Sequence, residues 1–298
     1  MFDALFENVP PRGTMTERGT DWRSFAGGED DSMMGRIGFI GTGNMGSVLA
    51  KAVCRSQGAQ SLLLADHMPE KARQLAEELG CTVADNQGIA QDCDVIFLGV
   101  KPQMMAGMLA EIAPVLKKRG GGFLLASMAA ALTCQQIREM AGGEYPVIRM
   151  MPNAPCAVGA GVVQYCTLGV AGSDCVAFES MMAPAGLVDP IPEQLMDAAT
   201  AVSSCGPAFL ALFVEALADG GVACGLPRDK AMRYAAQMAR GSAELMLESG
   251  LHPGVLKDQV CSPGGTTIQG VRALERGGLR SAAMEAVTAA YEKAKSMQ

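Results

Sequence analysis

A glycine-rich turn follows the first strongly apolar segment of the chain. Gly41, Gly43 and Gly46 stand in "GFIGTGNMG" at the spacing GxGxxG. Asn44 and Met45 then open a helical pattern. The first glycine permits a tight turn, the second lets a pyrophosphate approach the backbone, and the third lets helix and strand pack closely. Because the helix N-terminus adds free N–H groups and a partial positive charge, we predict a dinucleotide site, with an ordinary tight turn as the alternative.

An acidic residue, Asp66, ends the second predicted strand, about 20 residues after the last of these glycines. An acid at this point normally accepts hydrogen bonds from the ribose hydroxyls and repels a 2′-phosphate, which favours NADH. His67, Lys71 and Arg73 follow closely, however, and they suit the phosphate of NADPH. A third interpretation is that Asp66 caps the helix that begins near Pro69. The sequence therefore predicts NADPH or NADH as cofactor and leaves the preference open.

Two proline-containing loops also follow predicted strands. "GVKPQ" at 99–103 contains Val100, Lys101 and Pro102, and "RMMPNAP" occupies 149–155. In an open α/β sheet, ligands bind outside the carboxyl ends of the strands. We therefore expect both loops at the ligand edge of the sheet, with ordinary loop chemistry as the alternative for each residue.

A second glycine-rich stretch, "CSPGGTTIQG" at 261–270, interrupts the helical C-terminal region. The backbone N–H groups of Gly264, Gly265 and Thr266 can form an anion-binding nest at a helix start. Thr266 and Thr267 add hydroxyls that can hydrogen-bond a substrate. The alternative is a plain helix–helix turn that is capped by Ser262.

The chain is poor in strong proton donors. Its two histidines are His67, at the expected adenosine end, and His252, for which a capping or surface role is expected beside Pro253. Hydride transfer to a carbonyl usually needs such a donor. A protonated imine needs a shaped pocket, anion donors for any carboxylate and a hydroxyl near its nitrogen. The "SPGGTT" stretch offers the donors and the hydroxyl, which favours an imine substrate.

Composition and charge narrow the class of protein. The 298 residues are 49% hydrophobic and carry a formal net charge of −7, so we expect a globular chain that does not bind nucleic acid. Ten cysteines are scattered singly, without a CxxC pair and with only two histidines. This pattern predicts reduced, buried thiols, a cytoplasmic location and no metal site.

Two segments raise the question of targeting. Residues 1–33 are polar and are predicted to be a disordered extension without a secretory signal. The apolar stretch from Ala198 to Val214 is broken by "SSCGP". Since a membrane span needs about 20 apolar residues, we predict a buried helix that is interrupted by a turn, and no membrane association.

The order of predicted elements divides the chain into two domains. Short apolar runs alternate with helical patterns over 34–192, which predicts βαβ units and a mostly parallel, doubly wound sheet. Residues 193–298 show helical periodicity alone, and helices are expected at 193–203, 207–224, 228–249, 252–260, 264–276 and 279–296. The sequence thus predicts a Rossmann-type α/β N-terminal domain that is followed by an all-α C-terminal domain.

These motifs together resemble those of pyrroline-5-carboxylate reductase, the last enzyme of proline synthesis. The resemblance covers about 34–298 and rests on "GFIGTGNMG", "VKP", "MPN", "SSCGPAF" and "HPGVLKDQVCSPGGTTI". The C-terminal block is highly specific to that family. The resemblance implies NAD(P)H-dependent reduction of a cyclic imine carboxylate, pyrroline-5-carboxylate, to L-proline.

The resemblance further implies roles for single residues. Asn86 and the Lys101 loop would contact the cofactor. The substrate carboxylate would rest on the backbone of Gly265 and Thr266, and Thr267 would hydrogen-bond the ring nitrogen as the main catalytic residue. Glu193 matches a family position near the bound product.

An assembly is implied as well. The helical domain would intertwine with that of a second subunit in a homodimer, so that the substrate pocket forms at the dimer interface. Five such dimers often form a ring in the family.

Some positions depart from the family pattern. Cys205 stands where a small serine is common, Phe209 where tyrosine is common, and Ala131 where glycine is frequent. Two other functions stay open. One is reduction of a different cyclic imine, such as the six-membered homologue, because a methylene changes selectivity by only about 1–3 kcal/mol. The other is a nucleotide-sensing or scaffold protein without turnover.

Overall fold

The computed structural model describes residues 35–297. The extension expected over residues 1–33 lies outside this part of the chain. Within it, eight strands form a single sheet. The strands are β1 (Arg36–Ile40), β2 (Leu62–Ala65), β3 (Thr82–Val83), β4 (Cys93–Leu98), β5 (Leu124–Ser127), β6 (Val147–Pro152), β7 (Gly161–Leu168) and β8 (Gly186–Pro190).

Six helices accompany the sheet and six more follow it. The first group is α1 (Asn44–Gln57), α2 (Pro69–Leu79), α3 (Asn86–Asp92), α4 (Pro102–Arg119), α5 (Cys134–Ala141) and α6 (Gly172–Met182). The second group is α7 (Met196–Ser203), α8 (Gly206–Ala223), α9 (Arg228–Ser249), α10 (Pro253–Val260), α11 (Thr266–Arg276) and α12 (Leu279–Lys295). The fold class predicted from the sequence, a Rossmann-type unit followed by helices, is confirmed.

The strand order places the ligand edge of the sheet. The order is β3-β2-β1-β4-β5-β6-β7-β8, and every neighbouring pair is parallel except β6 and β7. The chain reverses its winding between β1 and β4, and in such sheets a crevice opens outside the carboxyl ends of these two strands. The first residues after β1 and β4 therefore border this crevice.

The sheet is buried on both faces, as continuous apolar strands require. On one face, α1, α2 and α6, the last through Phe178, cover sheet side chains that include Phe39 and Phe97. The rings of Phe39 and Phe97 stack with centroids 4.3 Å apart. On the other face, α3, α4 and α5 cover a second apolar layer around Ile96 and Leu98. Both layers hold β1 and β4 rigidly beneath the crevice.

The sequence analysis did not predict the strand β8. The short strand β8 pairs in parallel with β7 and closes the far edge of the sheet. Its sequence, "GLVDP", ends in Asp–Pro and alternates little, so it carries a weak strand pattern. Pro190 is tolerated because β8 is an edge strand.

The contacts between residues divide the described chain into two compact units. The first, called the sheet unit, contains 35–207 together with 289–297. The second, called the helical unit, contains 208–288. The domain boundary expected after residue 192 stays a prediction. In the second unit, α8 and α9 pack through a small cluster of alanines, Ala218, Ala231 and Ala235. These three are the unit's buried apolar side chains, so most of its apolar surface faces outward.

The apolar stretch from Ala198 to Val214 corrects one prediction. The expected interruption is present, because α7 ends at Ser203 and α8 begins at Gly206. Burial, however, was predicted wrongly: Val202, Leu210 and Leu212 are all exposed in the single chain. By length and composition alone, Glu193–Ala223 is apolar enough to cross a membrane. Exposed apolar helices of this kind need a covering surface.

Candidate active site

The three glycines of the turn after β1 are required for three different reasons. Gly41 has φ of +102°, and a Cβ there would lie 2.7 Å from the carbonyl carbon of Gly99. A Cβ on Gly46 would lie 2.1 Å from the carbonyl oxygen of Gly41. A Cβ on Gly43 would meet no protein atom within 4 Å. Gly41 and Gly46 therefore serve packing, whereas Gly43 leaves open space for a ligand beside the backbone.

The helix that follows, α1, begins without a capping side chain. Gly43 is the N-cap of α1, no side chain caps the helix, and its first turn contains no acidic residue. Asn44 is exposed and Met45 is partly exposed at this end. The first N–H groups of a helix lack intrahelical partners and carry the positive end of the helix dipole. The turn therefore fits the pyrophosphate of a dinucleotide.

Asp66 is bound to the glycine turn itself. Its Oδ2 accepts hydrogen bonds from the Thr42 backbone N–H at 2.7 Å and from the Thr42 hydroxyl at 3.1 Å. Its Oδ1 accepts one from the Met68 N–H at 2.9 Å and lies 3.0 Å from His67 Nδ1. The side chain is only 3% exposed. Neither the ribose role nor the helix-cap role describes this geometry fully, because the carboxylate holds the turn to the end of β2.

The protonation of Asp66 follows from these contacts. Burial alone would raise the pKa of this carboxyl, but the hydrogen bonds from Met68 and Thr42, with a smaller contribution from His67, lower it below its ordinary value. The group is therefore ionised at neutral pH. Its negative charge lies at the carboxyl end of β2, beside the glycine turn.

A cavity of about 320 Å³ opens between the loops that follow β1, β2 and β4. Asn86, at the start of α3, lines it together with His67, Val100, Met104 and Glu111. The Asn86 side-chain amide donates a hydrogen bond to the Glu111 carboxylate at 2.9 Å. Apolar walls with a few polar groups suit a flat heteroaromatic ring such as adenine.

The "GVKPQ" loop forms another helix start at this edge. Lys101 is the N-cap of α4 and is exposed, and Pro102 occupies the first turn without an acidic neighbour. Pro102 suits this position because the first N–H of a helix is unpaired in any case. The Lys101 side chain therefore stands at the carboxyl edge of β4, where the sequence predicted it.

The "RMMPNAP" loop turns inward instead. Asn153 is buried; its side-chain amide donates to the Ser203 carbonyl at 2.9 Å, and its Oδ1 accepts from the Val162 N–H at 2.9 Å. Asn153 thus ties the end of β6 to β7 and α7. Both polar groups of this side chain are already paired within the protein.

The second glycine-rich stretch builds an open helix start in the helical unit. Gly264 has φ of +68°, and Gly265 is the N-cap of α11 without a side-chain cap. The Gly265 N–H bonds to the Ser262 carbonyl at 3.0 Å, which closes the turn. Thr266 and Thr267 are exposed at the first two helical positions. Ser262 does not cap α11, so the serine cap expected in the plain-turn alternative is absent, and the anion-binding role of this stretch stays a prediction.

His252 has the role expected of it. It is the N-cap of α10, and its Nδ1 accepts a hydrogen bond from the Gly254 N–H at 3.1 Å. One ring nitrogen of His252 is thereby engaged in capping α10.

Glu193 lies in a buried polar cluster of the sheet unit. One carboxylate oxygen accepts from the Cys134 N–H at 2.8 Å and pairs with Arg149 at 3.3 Å. Cys134 and Cys166 are both buried, with their sulfurs 3.8 Å apart. The hydrogen bond between the sulfurs raises the pKa of Cys134 and lowers that of Cys166. None of the ten cysteines forms a disulfide in the part of the chain that the structure describes.

Three polar side chains near these places were not singled out in the sequence analysis. Thr42 was not mentioned there, although it donates two hydrogen bonds to Asp66. Glu111 lies on α4. Arg149 lies on β6 and is only 2% exposed. Only Thr42 carried a usable signal, because it is the residue inside GxG that faces the end of the neighbouring strand. Glu111 and Arg149 join their sites through the fold alone.

Two family models match the chain. Residues 193–297 match "Pyrroline-5-carboxylate reductase dimerisation", and residues 36–121 match "NADP oxidoreductase coenzyme F420-dependent". The pyrroline-5-carboxylate reductase of Escherichia coli K12 is 38% identical over 266 residues, which are 88% of this chain and 98% of that protein. The chain belongs to the pyrroline-5-carboxylate reductase family. The enzyme of Pisum sativum is 39% identical, over 88% of this chain and 95% of its own.

Solved structures of the family show the same fold. The pyrroline-5-carboxylate reductase of Coxiella burnetii aligns with a TM-score of 0.82 and 30% identity, over 89% of this chain and 98% of its own. The Plasmodium falciparum pyrroline carboxylate reductase, solved with NADP bound, aligns with a TM-score of 0.75 and 33% identity, over 88% and 97% of the two chains. These matches agree with the family that the sequence motifs indicated.

Proposed function

We propose that this protein reduces pyrroline-5-carboxylate to L-proline with NAD(P)H. The proposal rests on one observation: this chain of the family has two helix starts that no side chain caps, one at Gly43 and one at Gly265. One suits the phosphates of a dinucleotide and the other suits the carboxylate of a small imine acid. When bound, the nicotinamide supplies the hydride that is added to the imine carbon.

The sheet unit would hold the cofactor. The N-terminus of α1 receives the pyrophosphate beside Gly43, and the cavity at Asn86 and Val100 receives the adenine end. Lys101 and Pro102, at the start of α4, stand on the path toward the nicotinamide. Asp66 disfavours a 2′-phosphate, whereas the exposed Lys71 favours one. Both NADH and NADPH are thus candidates, and the balance of these two charges decides between them.

The helical unit would hold the substrate. The N–H groups at Gly265 and Thr266, with Gly264 in the left-handed conformation that shapes the turn, receive the carboxylate. The Thr267 hydroxyl then hydrogen-bonds the ring nitrogen. An iminium nitrogen is already protonated, so Thr267 orients the ring and needs no pKa near neutrality. Catalysis by positioning and charge complementarity accounts for large rate effects without a strong acid.

A homodimer would complete the site. The exposed apolar side chains of α8, among them Leu210 and Leu212, need a covering partner, and a second copy of the same helices offers a matching surface. The match to the family's dimerisation model supports a second copy over a membrane as that partner. The proposed assembly is an intertwined homodimer, with rings of five dimers as a higher form. Glu193 is proposed to lie near the bound product.

A reducing compartment is proposed for the reaction. Ten free thiols, four of them buried, are typical of proteins that stay in the cytoplasm.

The decisive assay follows nicotinamide oxidation with pyrroline-5-carboxylate, in parallel with NADH and with NADPH. Turnover with either cofactor is expected, and the ratio of the two kcat/KM values measures how strongly Asp66 excludes the 2′-phosphate. Assays with the six-membered imine run beside it. If only the larger ring turns over, the proposed substrate is wrong. If a folded protein binds nucleotide but turns over neither ring, the reductase function itself is wrong.

The role of Thr267 is tested separately. Thr267→Val removes the hydroxyl and keeps the shape, so kcat/KM should fall by roughly one to two orders of magnitude, the value of one or two lost hydrogen bonds. Thr267→Ser should restore most of it. A Thr267→Val enzyme with full kcat/KM would show that the hydroxyl does not hold the imine nitrogen.

A further inference from the structure

Two polar side chains from different helices meet in the cavity proposed for the adenine end of the cofactor. Asn86 is the first residue of α3, Glu111 lies in the middle of α4, and both line this cavity of about 320 Å³. Val100, Met104 and Met108 form apolar walls of the same cavity. In a pocket of this kind, the few polar groups decide the orientation and the selectivity of the ligand.

The hydrogen bond between these two side chains has a defined direction. Asn86 Nδ2 donates to Glu111 Oε2 at 2.9 Å. A carboxylate accepts hydrogen bonds and does not donate them, so Glu111 selects the nitrogen end of the Asn86 amide. Among residues 35–297, this is the single hydrogen bond that the Asn86 side chain makes. The carbonyl oxygen, Asn86 Oδ1, therefore stays available as an acceptor for a ligand.

The backbones that carry this pair are fixed by the fold. Asp85 caps α3 by accepting a hydrogen bond from the Gly88 N–H at 2.7 Å. Ile89 of α3 and Ile112 of α4 are fully buried in one apolar layer. The contact between the two side chains is thus part of the protein before any cofactor binds.

The adenosine half of a dinucleotide matches this arrangement through its donors. The 6-amino group of adenine and the 2′-hydroxyl of the ribose can each donate a hydrogen bond. Hypoxanthine carries a carbonyl oxygen in place of that amino group, and NADPH carries a phosphate in place of that hydroxyl. Both replacements present acceptors, which cannot pair with Asn86 Oδ1 or with the Glu111 carboxylate.

We propose that Glu111 is a positioning residue for cofactor selection. It holds Asn86 so that Oδ1 accepts a hydrogen bond from a donor of the adenosine half, either the 6-amino group or the 2′-hydroxyl. The family resemblance implies only that Asn86 contacts the cofactor, whereas Glu111 decides which atom of Asn86 the cofactor meets. Without Glu111, the amide can turn over and offer Nδ2 to an acceptor instead. The inference rests on the proposed use of a nicotinamide cofactor.

The test measures cofactor binding without turnover. Isothermal titration calorimetry of the full-length protein, without any imine, gives the Kd of NADH, of NADPH and of NADH with hypoxanthine in place of adenine. Glu111→Ala should raise the Kd of NADH roughly three- to tenfold, the value of one hydrogen bond. A protein that binds these dinucleotides but reduces no imine would contradict the proposed function and would leave this test intact.

The two analogues identify the donor. If the 6-amino group is the donor, Glu111→Ala should weaken NADH and NADPH alike and leave the hypoxanthine dinucleotide nearly unchanged. If the 2′-hydroxyl is the donor, Glu111→Ala should weaken NADH and the hypoxanthine dinucleotide and should not weaken NADPH. An equal change for all three dinucleotides, or no change for any, would overturn the proposal.

Two further variants separate positioning from charge. Glu111→Gln keeps a carbonyl acceptor for Asn86 but removes the charge, so it should retain most of the affinity for NADH. In an Asn86→Ala background, Glu111→Ala should have little further effect, because Glu111 acts through Asn86. A Glu111→Gln variant as weak as Glu111→Ala, or additive effects of the two alanine substitutions, would show that Glu111 does not act by orienting Asn86.

The matched control is a bond of the same kind elsewhere in the sheet unit. The Gln135 side-chain amide donates to the Glu139 carboxylate at 2.9 Å, and both residues lie on α5, outside the lining of the cavity. Glu139→Ala should leave all three Kd values unchanged. Glu111 and Glu139 are both exposed, and circular dichroism shows that each variant is folded. If Glu139→Ala changes the Kd values as Glu111→Ala does, the selective role of Glu111 is wrong.

Discussion

The sheet unit and the helical unit of this chain differ in how much of their apolar surface they bury. The sheet unit covers both faces of its strands with its own helices, and its large side chains, such as Phe39 and Phe97, are fully buried. The helical unit buries three alanines and leaves Leu212, Tyr234 and Leu247 exposed. One unit completes its core within a single chain, whereas the other leaves its apolar side chains for a second copy.

The two candidate binding sites, at the helix starts of α1 and α11, also differ in how firmly the chain holds them. The glycine turn of the sheet unit is pinned by backbone contacts at Gly41 and Gly46 and by the carboxylate of Asp66. The start of α11 is held by a single turn hydrogen bond at Gly265 and is otherwise exposed. The proposed cofactor site is therefore preorganised by the chain itself, whereas the proposed substrate site would take its surroundings from the proposed homodimer.

The largest expected effect comes from a charge on the exposed apolar face of α8. Leu212 is 67% exposed in the single chain, and Leu212→Glu should disrupt the homodimer. The lost burial is about 1.5–3 kcal/mol per side chain and occurs twice in a two-fold interface. The dimer dissociation constant should thus rise roughly 100-fold or more. Light scattering after gel filtration measures the mass, and nicotinamide oxidation measures the activity.

The matched control is Val176→Glu in α6 of the sheet unit. Val176 is 62% exposed, nearly the same as Leu212, but it lies on the unit that completes its own core. This variant should remain dimeric and active. If both glutamate variants behave alike, the contrast between the two units is wrong.

A second pair of variants separates packing from ligand space inside the glycine turn. Gly46→Ala places a methyl group against the Gly41 carbonyl, so unfolding free energy should fall by about 1–3 kcal/mol or more. Gly43→Ala meets no protein atom and should leave the melting temperature unchanged. It should instead raise the KM for the nucleotide, by roughly 100-fold if the phosphates shift by about 1 Å. An unchanged KM for Gly43→Ala would show that the pyrophosphate does not bind at this position.

The anchoring of the turn by Asp66 has a definite pH dependence. Hydrogen bonds hold the pKa of Asp66 below its ordinary value of 3.8, so its stabilisation is present above that value and is lost as the pH falls through the folded-state pKa. Asp66→Asn leaves an amide donor facing backbone N–H groups and should cost about 2 kcal/mol at neutral pH. Urea unfolding should show that the difference in unfolding free energy between wild type and Asp66→Asn shrinks as the pH falls below the pKa of Asp66.

A capping aspartate is the comparison for Asp66. Asp85 caps α3 by accepting a hydrogen bond from the Gly88 N–H at 2.7 Å. Asp85→Asn should change stability little at any pH, because asparagine caps a helix as well as aspartate does. A difference between Asp66→Asn and wild type that does not vary with pH would contradict the ionised carboxylate as the anchor.

The smallest expected effect is at Ala131, in the loop after β5. It has φ of +64° and is the single non-glycine residue with positive φ among residues 35–297. Ala131→Gly should relieve about 1–2 kcal/mol of strain, less about 0.4–1 kcal/mol for the more flexible unfolded chain. The melting temperature should rise slightly. Ala130→Gly, one residue earlier and without positive φ, should lower it.

Much of the fold could be predicted from the sequence because its signals are local. The helix Arg228–Ser249 was predicted to the residue, and Pro69 and Gly80 marked the ends of α2 as expected. Gly41, Gly43 and Gly46 needed only their spacing after a strand. The strand β8 was missed because its pairing with β7 compensates for a sequence with a weak local preference.

The site was harder to predict where side chains meet across the sheet. The expectation that Asp66 faces the ribose or caps a helix considered only its neighbours in sequence. Its main partner, Thr42, lies in the preceding loop and reaches it because β1 and β2 pair in parallel with Ile40 beside Ala65. The convergence of Cys134, Cys166 and Glu193 likewise has no signal in the sequence.

The sequence by itself determined the class of this protein. Periodicity and turn residues are short-range properties, and they predicted a Rossmann-type unit that is followed by helices; the resemblance of the motifs to a known family added the reductase activity and the dimerisation role. The tertiary structure alone decided which polar groups are available and which are paired: Asn153 is used inside the fold, Asp66 holds a turn, and Leu212 faces outward. The physical reason is that burial and hydrogen bonding depend on strand order and packing, which bring together residues more than twenty positions apart.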